Sequence, residues 1–429
     1  MPKYELNPFT NQVQVVSNNA TGNTLPTSSN DRSIAVFNGT NGQSIRDSLI
    51  QITSDGAIQT IDGENRGNGA IDLQTTRSYP ASVASGDFSA ILSGNDNEIH
   101  SLYSLICGGY YNYVPTGIST IIVGGNSNIC KKDYSFLGGG QYNLVDSSYS
   151  FLGGGDHNQV MAEYSAVVTG KSNTVKVESQ FYNTGYSTII TGRSNIIENA
   201  VNSVILTGES QLIRKTYSNT QVTSCSAILT GTYNLIESNN SFILGGYANS
   251  INPSASFSTI LGGSFAENFS WGQTSYGIGS FFSEEDLAND GLKRTSRSQS
   301  SIFYALGVTQ DGSQKEIFLD GISLRMLVPP KATWSFLIRG IAKRVSQAFP
   351  YSSDTYDEKF CFQLDGIVDR SGLGNRILGN VDKTLKSSIN LPWDFDVLTS
   401  SEYLILKATG EANKRIHWAV TIDVVELIG

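Results

Sequence analysis

The chain has 429 residues and a net charge of −9, with only 16% charged residues and 43 glycines. That length allows two to four domains, and low charge with abundant Gly, Ser, Thr, Asn and Tyr is the profile of all-β extracellular or virion proteins rather than of helical enzymes. No basic run is longer than Lys131-Lys132 or Lys414-Arg415, so a phosphate-binding surface, and with it nucleic acid as a partner, is not expected.

The N-terminus, Met1-Pro2-Lys3-Tyr4-Glu5-Leu6, lacks the basic start and apolar core of a signal peptide, and no run of 18 apolar residues follows. The expectation is a chain made and left in a cytoplasm. Residues 1–80 are a polar lead-in with apolar islands at Val13 to Val16, Ile34 to Phe37, Leu49 to Ile52 and Ile58. Turn signals at Asn38-Gly39, Asn41-Gly42 and Asp55-Gly56 predict a few strands without a core of their own.

From Ser89 to Ala266 one phrase recurs eleven times: Ser, any residue, two apolar residues, a Gly/Thr/Ser-Gly pair, two variable residues, Asn. The copies start at Ser89, Ser104, Thr120, Ser135, Ser150, Ser165, Ser187, Ser203, Ser226, Ser241 and Ser258, so most steps are 15 to 17 residues and two are 22 to 23. Such a period is one solenoid coil, with two insertions. A run such as Phe242-Ile243-Leu244 is too short and too branched for a helix but suits a buried strand. The glycine that follows marks the corner: Gly94, Gly109, Gly125, Gly139, Gly154, Gly170, Gly192, Gly208, Gly231, Gly246 and Gly263. The closing residue, Asn97, Asn112, Asn128, Asn143, Asn158, Asn173, Asn195, Asn234 or Asn249, gives way to Gln211 and Ala266 in two copies. Stacked at about 4.8 Å per coil, these side chains form an amide ladder, and eleven coils make a shaft of roughly 50 Å.

Strand residues alternate faces, so Phe242 and Leu244 point away from Ile243, and both faces are apolar. One face fills the coil; the other needs cover, most economically by copies of the same chain about a three-fold axis. A homotrimer is therefore expected.

Residues 267–300 read as a neck, in which Ser283 could cap one short helix over Glu284-Glu285-Asp286-Leu287. From residue 301 to 429 longer strands are expected at Ile302 to Val308, Glu316 to Leu319, Ser323 to Val328, Thr333 to Val345, Lys359 to Asp369, Tyr403 to Ala408 and Ile416 to Leu427. That count suits a β-sandwich, jelly-roll-like, with Trp334 and Trp418 in its core. The fold class is thus all-β: a parallel β-helix or β-roll solenoid over 81–266 and a β-sandwich over 301–429.

Little in the chain suggests catalysis. His100, His157 and His417 have no metal spacing, and the four cysteines, Cys107, Cys130, Cys225 and Cys361, form neither a CxxC site nor a disulfide framework and read as buried small apolar residues. No metal, cofactor or catalytic residue is assigned. The glycine triplets at 138–140 and 153–155 are not followed by GK[ST] or a helix, so the repeat accounts for them. Asp87, Asp96, Glu98, Asp133, Asp146, Asp156 and Glu163 fall at loops or variable positions, although a groove between subunits could pair two of them for polysaccharide cleavage. Binding is the better expectation: Tyr351 and Tyr356 on the loop 349–357, and Trp393 and Asp394 at a turn, could stack on and hydrogen-bond to a sugar.

Three stretches resemble one family. The repeats, such as Tyr134-Ser135-Phe136-Leu137-Gly138-Gly139-Gly140-Gln141-Tyr142-Asn143, resemble the head repeats of trimeric autotransporter adhesins and, more closely, their variant in tailed-bacteriophage fibres. Tyr4-Glu5-Leu6-Asn7-Pro8-Phe9-Thr10 and Ala35-Val36-Phe37-Asn38-Gly39-Thr40-Asn41-Gly42 with Asp47-Ser48 are similar to segments of phage tail proteins. Phe318-Leu319-Asp320-Gly321, Thr333-Trp334, Gly366-Ile367-Val368-Asp369-Arg370, Trp393-Asp394, Gly410-Glu411-Ala412 and Ile416-His417-Trp418-Ala419 resemble a C-terminal domain of phage tail fibres. The chain shows neither the signal peptide nor the membrane barrel of a bacterial adhesin, and no self-cleaving chaperone, which favours the phage.

The resemblance implies a homotrimeric virion fibre, assembled in the host cytoplasm. It would attach to a tail, baseplate or portal-adaptor protein through residues 1–80, with Tyr4, Leu6, Pro8 and Phe9 as contacts. Its C-terminal tip would meet a host-surface glycan or protein. It is not expected to be an enzyme; the alternatives are a polysaccharide-degrading tailspike or a capsid head fibre.

Overall fold

The computed structural model describes residues 4–6, 13–15, 32–38, 44–60, 62–177, 185–214, 223–281, 296–345, 358–372 and 374–429. They are all-β with no helix; the expected helix at 283–287 lies outside the described residues. The chain divides into two compact units, Met1–Val145 and Asp146–Gly429.

The first unit is a β-solenoid closed at its start by antiparallel strands. Ser33–Asn38 pairs with Ser44–Ile52, which turns at Asp55-Gly56 and pairs with Ile58–Thr60. From Ile58–Thr60 onward the pairing is parallel: Ile58 with Ile71, Ile71 with Ala90, Ala90 with Leu105, Leu105 with Ile121 and Ile121 with Phe136. The solenoid therefore starts before the first recognisable repeat. A second parallel row runs from Glu98 through Tyr113 and Ile129 to Leu144. The inward residues, Ile91, Ile106, Ile122 and Leu137 in one row and Ile99, Val114, Cys130 and Val145 in the other, have no solvent exposure. Each such burial contributes about 1.5–3 kcal/mol.

The amide ladder is present and extends further than the repeat. Asn112 Nδ2 donates to Asn97 Oδ1 (3.0 Å) and Asn128 Nδ2 to Asn112 Oδ1 (3.1 Å), while the backbone N–H of Asn143 donates to Asn128 Oδ1 (3.1 Å). Gln74 heads the column: its Oε1 accepts from the Asn97 N–H at 2.7 Å. Beside it, at the same height, the corner glycines leave no room for a Cβ, since one on Gly125 would lie 2.1 Å from the Gly140 carbonyl oxygen. This register corrects two corners. The sequence pattern put them at Gly139 and Gly154; those that take the place of Gly125 are Gly140 (φ +81) and Gly155 (φ +101), one residue later.

The second unit carries the solenoid from Phe151 through Ala166, Thr188, Val204, Ala227 and Phe242 to Thr259, with its companion row from Gln159 to Glu267. Here Asn173 Oδ1 accepts the Asn195 N–H (3.1 Å), Asn195 Oδ1 the Gln211 N–H (3.0 Å), and Gln211 Oε1 the Asn234 N–H (3.0 Å). Gln211 thus keeps the ladder intact. A second ladder, not foreseen, uses the phrase's first residue: Ser165 Oγ accepts the Ser187 N–H and Ser187 Oγ the Ser203 N–H, each at 3.1 Å. Asn173→Ala strands one buried main-chain group, the Asn195 N–H, and removes the amide's bond to the Gly192 carbonyl (3.0 Å), which keeps the Lys171 N–H as a donor. It is expected to destabilise this unit by about 2–4 kcal/mol, read as a fall in urea midpoint.

The same sheet then continues into the C-terminal region. Thr259–Ser264 pairs in parallel with Thr274–Phe281, which pairs antiparallel with Ser296–Thr309. Beyond it come Arg415–Ile428, Ala332–Val345, Lys359–Asp369 and Arg376–Ser387 in that order. A smaller sheet, in which Gln314–Ile317 and Met326–Leu327 share one edge of Tyr403–Thr409 and Asp394–Thr399 takes the other, shares a core with it. Trp334, Trp418, Phe303, Phe336 and Phe395 fill that core. Two expectations fail here. Trp393 is 2% exposed and packs on Phe360 and Trp418, with its Nε1 donating to Glu411 (3.3 Å), so it is core and offers no face to a sugar. Of the four cysteines only Cys130 is buried; Cys107 is half-buried and Cys225 and Cys361 are exposed.

Candidate functional site

The solenoid offers two outward faces of opposite chemistry. On the row of Ala90 in the first unit and that of Phe151 in the second the outward positions are mostly apolar: Leu92 and Val123 in the first unit, and Val168, Leu206, Leu229, Leu244 and Leu261 in the second, are all exposed, and Thr188 and Thr259 take outward positions among them. On the companion row of the second unit they carry ion pairs, Lys176 with Glu198 (2.6 Å) and Arg214 with Glu237 (2.9 Å). Water suits the second face and not the first.

Each coil also bends at two non-glycine residues in the left-handed region, where an L residue is disfavoured by about 1–2 kcal/mol. In the second unit one of these corners is aromatic at Tyr149, Tyr164, Tyr186 and Phe257, with φ between 44° and 61°. Stacking offsets the strain: Tyr149 and Tyr164 rings lie 4.9 Å apart at 2°, Tyr164 and Tyr186 5.0 Å apart at 11°. Their faces are spent on one another, so this track cannot stack on a ligand between its members.

A cleft of about 300 Å³ in the second unit has the mixed chemistry that the ladder lacks. One wall comes from the end of the solenoid, where Ser254 Oγ donates to the Phe269 carbonyl (2.9 Å) and Trp271 tilts against Phe257 at 5.5 Å. The other comes from the small sheet: Leu324, Arg325 and Tyr403, tied across by the Leu327 N–H donating to Ser270 Oγ at 3.1 Å. The loop that delivers Ser323 to Arg325 is rigid for a local reason. Asp320 Oδ1 accepts the N–H groups of Ile322, Ser323 and Leu324 at 2.9, 2.8 and 2.9 Å, and Gly321 supplies φ +75°. Burial works against the Asp320 charge, but those three donors outweigh it and hold the carboxyl below its ordinary range. Arg325 is fixed by a two-pronged contact with Glu316 (2.7 and 3.0 Å) and lies 5.9 Å from the Tyr403 ring centre. Aromatic faces, a held guanidinium and serine hydroxyls around a small concavity are groups that can orient a polyhydroxylated ligand.

The residues expected to bind do not gather here. Tyr351 and Tyr356 lie outside the described residues, as do Pro8 and Phe9; Tyr4 and Leu6 belong to the strand Tyr4–Leu6, paired with Val13–Val15. Asp394 is engaged by Lys383, which also holds Asp396 at 2.7 Å. The acids of the coils are tied as well: Asp87 accepts the Asn68 N–H (2.8 Å), Asp96 the Ser78 hydroxyl (2.8 Å), Asp133 the Ile118 N–H (3.0 Å), and Asp156 pairs with Lys171 (2.8 Å). Among the described residues no group of three or more His, Cys, Asp or Glu could hold a metal ion. Sequence reasoning missed the cleft because its parts lie far apart in the chain; the Asp320-Gly321 pair is the one local signal that could have marked its loop.

No protein-family model matches the chain, and no curated protein matches it. Among solved structures it is similar to tailspike protein gp49 of Acinetobacter baumannii bacteriophage Fri1, described as a capsular polysaccharide depolymerase. The match has 10% identity and a TM-score of 0.16, over 82% of this chain and 69% of that one. It corrects one expectation: with a depolymerase among the similar structures, the absence of enzymatic activity is no longer a premise. At that TM-score it assigns no activity to this chain.

Proposed function

We propose that the chain is a subunit of a homotrimeric virion spike that engages a glycan of the host surface through its C-terminal region. The observation that carries this reading is the solenoid row that is apolar on both sides: the inner side is filled by its own coil, and the outer side leaves Leu206, Leu229, Leu244 and Leu261 in water unless another chain covers them. In this reading residues 1–80 attach to the virion, the coils space the ends apart, and the cleft of Trp271, Arg325 and Tyr403 meets sugar. Three weak sites per spike then act together, so no single site has to bind tightly.

Sedimentation of the purified chain tests the assembly; a clean monomer of 46.3 kDa would sink it. For the glycan, capsular polysaccharide or lipopolysaccharide of the host is incubated with wild type and Trp271→Ala. The substitution is expected to weaken retention about tenfold, about 1.4 kcal/mol, and equal retention by both proteins removes the cleft from the proposal. Shortened polysaccharide chains in the same tubes would make the spike a depolymerase.

A further inference from the structure

The large C-terminal sheet has an outer face whose chemistry repeats that of the solenoid row. Its strands alternate cleanly. Phe303, Trp334, Ile338 and Ile422 point into the core, while Tyr304, Leu306 and Ile341 are 58%, 56% and 59% exposed on the other side. The register places Leu306 opposite Ala419, Ala419 opposite Ile341, and Ile341 opposite Cys361, so these four stand side by side across four strands. They floor a groove of about 730 Å³. Arg339, beside this floor, is paired with Asp423, and Gln363, Thr384 and Lys386 line the groove's far side.

This face is on the same side of the same sheet as the apolar solenoid row. Ile260 pairs with Ser275 and Ser275 with Ser301, all three buried, so Leu261, Tyr276 and Tyr304 share the outward side. Tyr276 and Ile278 are exposed there and bridge the two regions. The apolar floor continues the exposed apolar row of the coils, and contiguous apolar surface of this kind marks a protein contact.

We infer that the outer face of the large C-terminal sheet is a contact surface between copies of this chain, continuous with the one along the solenoid, and that its groove is closed by a neighbouring subunit. The inference rests on the homotrimer proposed above and extends it from the coils to residues 296–428. It leaves the opposite, small-sheet side of the region, with the cleft at Trp271, facing outward.

The chain carries its own probes. Cys361 lies in the groove, Cys225 on the solenoid surface, and both thiols are exposed in a single chain. The full-length assembly is pulsed with N-ethylmaleimide and each thiol's labelling is mapped by mass, then divided by its rate in denaturant to remove differences in intrinsic reactivity. Cys361 is expected to label at least about tenfold more slowly than Cys225, and Ile341→Asp, which changes only an outward side chain, is expected to abolish that protection. An assembly of three chains in which Cys361 labels as fast as Cys225, or stays protected in Ile341→Asp, overturns the inference while leaving the solenoid trimer standing. A monomer in sedimentation overturns both.

Discussion

Replacing Asp72 with alanine is expected to destabilise the first unit by about 3–5 kcal/mol, the loss typical of breaking a buried ion pair by removing one partner. Asp72 occupies an inward position of the solenoid, in register with Ile91, and has no solvent exposure. Two guanidinium groups converge on it: Arg66 Nε at 3.1 Å and Arg77 Nη2 at 2.7 Å, with side chains only 1% and 3% exposed. Its oxygens also accept the N–H groups of Gln74 (3.2 Å) and Ala84 (3.3 Å). Burial, helped by the Arg77 charge, lowers the Arg66 pKa, and the Asp72 charge opposes that shift. Without the carboxylate both cations are left in the interior. The pair itself is not expected to be the source of net stability, because desolvating three charges offsets most of their attraction. Hence Asp72→Ile combined with Arg66→Met and Arg77→Leu is expected to recover most of the single variant's loss in urea denaturation, stopping short of wild type because the buried Gln74 and Ala84 N–H groups lose their acceptor. If the single variant unfolds at the wild-type midpoint, the ionic account is wrong. The cluster sits at the start of the apolar column, one coil in from Ile58–Thr60.

How far the fold could be read ahead depended on whether local pattern or long-range packing set each feature. The coil period, the Asn column and most corner glycines were legible because each coil meets its neighbour in the same way, so the constraint is written into every copy. Lys359–Asp369 was predicted to the residue since strict alternation marks a strand with one buried side. Arg376–Ser387 was missed for the converse reason: it is an edge strand, exposed along nearly its whole length, with Asn380, Asp382, Lys383 and Lys386 where alternation would show. Trp393 reads as a turn residue after Pro392, yet the next strand carries it into the core. The coils before Ser89 escaped notice because Asp72 stands where later copies have Ile, Leu or Val. The Trp271 cleft was invisible, since three segments more than fifty residues apart meet only in the folded chain.

Glu426 is expected to make the second unit less stable as pH rises from about 4.5 to about 7. It lies inside the C-terminal core, 1% exposed, between Ser296–Thr309 and Ala332–Val345. Burial pushes its carboxyl up to about 7, against the Trp334 Nε1 donor on Oε2 and the nearby Arg297 charge, which favour the ionised form. Arg297 is itself paired with Glu267, and no side chain donates to Glu426 Oε1. Between the unfolded pKa near 4.5 and the folded one near 7, the native state holds a proton that the unfolded state has lost. Stability therefore falls with pH across that window and levels off above it. A shift of that size corresponds to about 3 kcal/mol. Glu426→Gln keeps an oxygen for Trp334 and removes the charge, so it is expected to gain about that much above pH 7 and almost nothing at pH 4. The difference between wild type and variant is what must be measured, by tryptophan-monitored urea unfolding from pH 4 to 8. Other carboxylates act in the opposite sense: Asp369, held down to about 2 chiefly by the Ser371 and Thr333 hydroxyls, favours the folded state as pH rises. A variant that tracks wild type in parallel over the whole range would mean that Glu426 ionises in place without cost, and its surroundings would have to be far more polar than its burial beside Trp334 allows.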